Sequence, residues 1–129
     1  MKHLVYLTFF WSLISGSWCA AAPIDFQKQI APLLTEKCLA CHNPTQKKGG
    51  LDLTTRESLV AGGESGLTVT PGDPNLSLII DYVSGDKPKM PKTGDKLTPE
   101  EVALLTTWVK QELPWPKQVI LDPSVATWW

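Results

Sequence analysis

The segment KCLACHNPTQ, Lys37 to Gln46, places two cysteines and a histidine within five residues, and three chemistries use cysteines so closely spaced. Structural zinc wants four ligands, usually from two separated pairs. Once a leader is set aside, only Cys38, Cys41 and His42 remain, so a closed zinc site would need carboxylates or a second chain. A redox-active CxxC ordinarily follows a strand and opens a helix. Here the preceding residues Phe26, Ile30, Leu33 and Leu34 recur at helical spacing, with Asp25 as a candidate N-cap, so the cysteines follow a helix. A plain disulfide across so short a loop gains little from closure.

The remaining reading is covalent haem attachment, for which CxxCH is the sequence signature. Two thiols spaced along one turn can add to the two vinyl groups on one porphyrin edge, giving thioethers at Cys38 and Cys41. The adjacent His42 is then held beneath the iron as its proximal ligand. The distal ligand is expected to be Met90. A lone methionine is more often a flexible core filler, but Met90 lies in SGDKPKMPKTGDK, among Lys, Pro, Gly and Asp rather than on an apolar helix face. Pro91 biases Met90 towards an extended conformation, and Pro88 stiffens the approach. The 48 positions from His42 to Met90 are ample for a chain that must wrap around a porphyrin.

Ligation by His and Met leaves no open iron position, which suits electron transfer and disfavours oxygen activation; Met also raises the reduction potential. Were Met90 not to bind, five-coordinate iron would make the chain a small-ligand sensor or a peroxidase-like domain. No Ser-His-Asp constellation is available, because the one histidine left after the leader is committed to iron. The chain therefore reads as an electron-transfer module and not as an enzyme in its own right.

These residues must be positioned by helices. Beyond the first, which precedes Cys38, a short helical segment is expected at Thr55 to Val60, between Gly49 and Gly50 on one side and Gly62, Gly63 and Gly66 on the other. It has no strand, loop and helix context and no GK[ST], so it reads as a loop covering the cofactor rather than one binding phosphate. Asp73 as N-cap and Pro74 at the first position open a further helix, with an apolar stripe of Leu76, Ile79, Ile80 and Val83 and its end at Gly85. The clearest helix follows. Thr98, Pro99 and Glu101 make a capping box; Val102, Leu105, Trp108 and Val109 form a face able to cross the first helix; and Pro114 stops it. No alternating apolar stretch competes, so the fold class is all-α, about three main helices with loops wrapped around one haem.

The start, MKHLVYLTFFWSLISGSWCAAAP, has a short basic opening, an apolar run from Leu4 to Ile14 and small residues around Ala20 to Ala22. That is the layout of a secretory signal peptide, residues 1–22, and the run is too short to span a bilayer. An uncleaved anchor or lipidation at Cys19 would leave the remainder on the same side of the membrane, and bulky Trp18 fits lipidation poorly. The protein is accordingly expected in the periplasm or secreted, with no later membrane span. The formal charge of −1 becomes −2 without Lys2, so no basic surface argues for nucleic acid. Lys47 and Lys48 follow the attachment motif, and Lys87, Lys89, Lys92 and Lys96 bracket Met90. They are expected either to steer an acidic redox partner or simply to solubilise the surface.

Taken in order, IDFQKQIAPLLTEKCLACHNP, KKGGLDLTTRESLVAGGESG, VTPGDPNLSLIIDYV and KMPKTGDKLTPEEVALLTTWVKQELPW resemble the planctomycete-type cytochrome c domain. That domain is a relative of class I cytochrome c found at the start of large secreted planctomycetal proteins. The resemblance covers about residues 24–115 and implies haem c on Cys38 and Cys41, iron ligation by His42 and Met90, and electron transfer. It sets a cytochrome domain at 23–115 and a tail at 116–129. In that family long domains usually follow, so Trp128 and Trp129 read either as the start of such a segment or as a tail folding back, and the electron partner as a separate protein or a linked domain.

Overall fold

The computed structural model describes residues 19–124. Most of the expected signal peptide, residues 1–18, and the end of the expected tail, residues 125–129 with Trp128 and Trp129, lie outside them. Among the described residues there are four α-helices: α1 (Ala31–Lys37), α2 (Arg56–Ala61), α3 (Leu78–Val83) and α4 (Pro99–Lys110). They contain no β-strand beyond the isolated bridges Gly63 to Gly66 and Thr70 to Asp73. None of their helices is long and apolar enough to cross a membrane. The expectation of an all-helical chain holds.

The first helix begins differently from its expected form. Asp25 does cap it, its carboxylate accepting from the Lys28 N–H at 3.2 Å, but Phe26–Ile30 is a π-helical turn before α1 proper. Pro32 supplies the reason: it has no N–H to donate, and its ring crowds the carbonyl four residues back, so a wider turn precedes it.

The helix expected from Asp73 is likewise interrupted. Asp73 and Pro74 open only a 3₁₀ turn, Pro74–Leu76, and the chain is extended at Ser77 before α3 starts. The buried Ser77 hydroxyl donates to the Asp73 carbonyl at 2.7 Å, satisfying by side chain what a helical N–H would have reached. Leu76 consequently leaves the apolar stripe and is 67% exposed, while Ile79 and Val83 are buried. At the far end, the Ser84 hydroxyl donates to the Ile80 carbonyl at 2.7 Å and closes α3.

Helix α4 carries the expected capping box, Thr98 Oγ1 accepting from the Glu101 N–H and Glu101 from the Thr98 N–H. Thr98→Ala is expected to lower unfolding free energy by about 1 kcal/mol, read from the urea midpoint at unchanged slope. The helix ends at Lys110, before Pro114 could stop it. Glu112 and Leu113 adopt left-handed φ of 65° and 59°, conformations that cost side-chain-bearing residues of order 1–3 kcal/mol each. Arg56 offsets part of that by donating to the carbonyls of Leu113 and Glu112 at 3.2 and 3.3 Å.

The turn points the chain back over the core, where Trp115 lies 4.1 Å from Phe26 and Trp108 6.1 Å from it, centroid to centroid. Trp108, Leu105 and Val109 of α4 are fully buried, and α4 packs on the Phe26–Ile30 turn, part of the crossing the sequence implies. Gln111 holds the chain's first described stretch, accepting from the Ile24 N–H at 2.8 Å and donating to the Ala22 carbonyl at 2.9 Å. The tail beyond Pro116 returns as well: the Leu121 N–H donates to the Thr54 carbonyl at 2.8 Å, and Leu121 is buried.

Candidate functional site

The pentapeptide from Cys38 to His42 continues α1 as one tight turn. Cys38 N–H donates to Leu34 at 2.9 Å, and Cys41 and His42 both donate to the Cys38 carbonyl, at 3.2 and 3.1 Å. Fully buried Leu39 anchors the turn in the core. The next residue, Asn43, was not singled out from sequence. Buried itself, it donates to the Leu39 carbonyl at 2.6 Å and accepts from the N–H groups of Thr45 and Gln46, both at 2.9 Å. Asn-Pro is a turn dipeptide, and that was the available signal.

Both cysteines are free thiols. Cys38 is half-buried by surface, yet its surroundings push its thiol up to about 12, mainly by burial and then by the neighbouring Cys41. A redox CxxC depends on a lowered thiol pKa, commonly at a helix N-terminus; Cys38 instead caps a helix C-terminus. Among the described residues no three His, Cys, Asp or Glu side chains converge as metal ligands, so Cys38, Cys41 and His42 do not surround a common point as zinc requires.

The imidazole of His42 has a defined partner. Its Nδ1 lies 3.0 Å from the Lys48 carbonyl, which can only accept, so Nδ1 carries a proton, and in the neutral ring Nε2 is the nitrogen with the lone pair. The loop that brings Lys48 there is tied by Lys48 N–H to the Cys41 carbonyl at 3.0 Å and by Leu53 N–H to the His42 carbonyl at 3.0 Å.

His42 opens on a cleft of about 120 Å3, lined with Cys38, Leu51, Leu53, Ile79, Val83 and Met90 among others. Small-molecule and cofactor pockets are mostly apolar, as this one is. Beside it lies a larger hollow of about 750 Å3 that adds Cys41 and shares Cys38, His42 and Met90. All four residues expected from the sequence border that hollow. Met90 reaches it from a polar loop after α3, held by its own N–H donating to the Tyr82 carbonyl at 2.8 Å. Tyr82, which sequence reading passed over, also lines both parts.

These features suit a flat apolar cofactor with a metal at its centre: thiols on one turn, an imidazole with its outer nitrogen tied back, and a thioether across an apolar cleft. Of the six lysines noted in the sequence, Lys48, Lys89 and Lys92 line the hollow. Lys89 is engaged locally, 3.4 Å from Asp81 and 4.5 Å over the Tyr82 ring. Lys37 joins the rim beside Glu36 at 3.2 Å, and that hydrogen bond raises its pKa.

Compared with known families, residues 38–94 match the model described as Planctomycete cytochrome C. No curated protein and no solved structure matches the chain.

Proposed function

From residues 38–94 being those of a planctomycete-type cytochrome c, we propose that this chain is a one-haem electron carrier of an exported compartment. The family accounts for haem-based electron transfer. The assignment of individual residues rests on one observation: His42 and Met90, 48 positions apart, border the same hollow as both CxxCH thiols.

In this reading Cys38 and Cys41 hold haem c through thioethers, His42 is the proximal ligand and Met90 the distal one. The cofactor supplies a one-electron ferric to ferrous couple, raised in potential by the thioether ligand. The chain's own part is positional. The Lys48 carbonyl fixes the tautomer and orientation of His42; the Tyr82 carbonyl fixes the backbone of Met90; the leucines of the cleft, with Ile79 and Val83, exclude water from the metal's surroundings. With both iron positions filled, the chain transfers electrons to a separate redox protein or a linked domain and performs no chemistry on a substrate.

The test is the visible spectrum of protein exported from a host that matures c-type cytochromes. Wild type should be low-spin, with the weak red-edge band of a methionine ligand. Met90→Ala should abolish that band, yield high-spin ferric iron and lower the midpoint potential. A wild-type spectrum already high-spin and unchanged by Met90→Ala would remove the distal assignment and leave a ligand-binding site in its place.

A further inference from the structure

The His42 site contains a stretch of backbone with no part in the reading above. Lys47 and Gly49 have left-handed φ of 41° and 65°, on either side of the residue whose carbonyl receives the imidazole proton. For Lys47, which bears a side chain, such backbone persists only where its surroundings over-determine it, whereas Gly49 adopts it freely. What over-determines it here is a second turn: Gly63 and Gly66 exchange two hydrogen bonds of 3.1 Å, and the next N–H, that of Glu64, donates to the Gly49 carbonyl at 2.8 Å. The approach is close. A Cβ on Gly63 would stand 2.5 Å from the Gly49 oxygen and 3.2 Å from Leu51 Cβ, and backbone cannot swing aside as a side-chain tip can.

Resting on the electron-carrier reading, we propose that Gly63 is a positioning residue for His42. Its missing side chain admits the 63–66 turn against Gly49, the Glu64 amide locks the Gly49 carbonyl, and the Lys48 carbonyl is thereby held on Nδ1. A carbonyl kept on Nδ1 makes the imidazole a stronger donor and fixes the plane of the ring. Loosening the brace should weaken the ligand and favour the ferrous state.

The experiment compares haem-loaded wild type with Gly63→Ala and, as a control, Gly72→Ala. Gly72 also has a left-handed φ, 83°, but its nearest contact is Glu112 and it borders neither part of the cleft. Two quantities are read: exchange of the His42 Nδ1 proton by NMR in the reduced protein, and the midpoint potential. Gly63→Ala should speed that exchange by about tenfold, the loss of one ordinary hydrogen bond, and raise the potential. Gly72→Ala should lose thermal stability with both quantities unchanged. If Gly63→Ala behaves like Gly72→Ala, the positioning role is overturned.

Should Gly63→Ala not accumulate, wild type alone decides. The Glu64 amide and the Nδ1 proton are expected to exchange through one shared opening, and independent opening overturns the proposal. Colourless wild-type protein would instead refute the electron-carrier reading, and ring-proton exchange in that colourless chain would still judge the brace.

Discussion

Protein carrying both Cys38→Ala and Cys41→Ala is expected to lose all pigment on acid denaturation, while wild type keeps its haem with the unfolded chain. Coordination breaks when a chain unfolds and its ligands protonate; a thioether does not. The single variants should each retain haem through the one remaining bond, with a reduced-state absorption band displaced by the unsaturated vinyl group. The double variant is the decisive one, because the turn itself does not depend on the thiols. It is held by backbone bonds to Leu34 and Cys38 and by buried Leu39. A folded double variant that still binds haem reversibly would separate attachment from pocket formation. Pigment that survives denaturation of the double variant would refute the thioether assignment.

Trp108→Ala should cost about 3–5 kcal/mol of stability, the range for removing a buried aromatic side chain. Trp108 is fully buried, neighbours Phe26 and Trp115 at centroid distances of 6.1 and 6.2 Å, and donates its indole N–H to the Pro114 carbonyl at 3.0 Å. Its loss removes the contact between α4 and the turn at Phe26 and frees the returning chain after Leu113. Against a total of roughly 5–15 kcal/mol for a small domain, that is a large share of what holds the protein folded. Urea unfolding followed by far-ultraviolet circular dichroism measures it. Ile120→Ser, at a side chain 71% exposed, is the matched control and should change stability by less than about 0.5 kcal/mol.

The parts of this molecule legible in sequence are those fixed by local chemistry. The capping box at Thr98 and the short helix after Thr55 follow from bonds between residues three apart, and both are present. The CxxCH turn followed from residue types and their neighbours; Met90, expected as a ligand rather than a core residue, is half-buried, packs against the core and borders the cleft. The misjudged features turn on a group that competes with the local apolar pattern, from within the segment or from far along the chain. The apolar spacing around Leu76 is helical, but the Ser77 hydroxyl substitutes for the backbone donor and breaks it. The pattern from Phe26 to Leu34 is helical too, yet Pro32 widens its first turn. The reversal at Glu112 and Leu113 has no glycine to announce it; Arg56, 56 and 57 positions away along the chain, donates to their carbonyls instead. The Lys48 carbonyl was equally invisible: any residue supplies one, and only the left-handed loop decides which reaches His42.

The amide of Gln111 spans Ala22 and Ile24, residues 89 and 87 positions earlier in the chain. With Phe26 on Trp115, it joins the first and last parts of the domain into a closed ring of packed elements. The entropy of bringing such distant segments together rises only slowly with their separation and is met once, by the ring as a whole. Everything between Cys38 and Leu97, including the residues that border the cleft, is then a long excursion whose two ends are held together by that frame, with Arg56 on the carbonyls of Glu112 and Leu113 tying its middle to the same place.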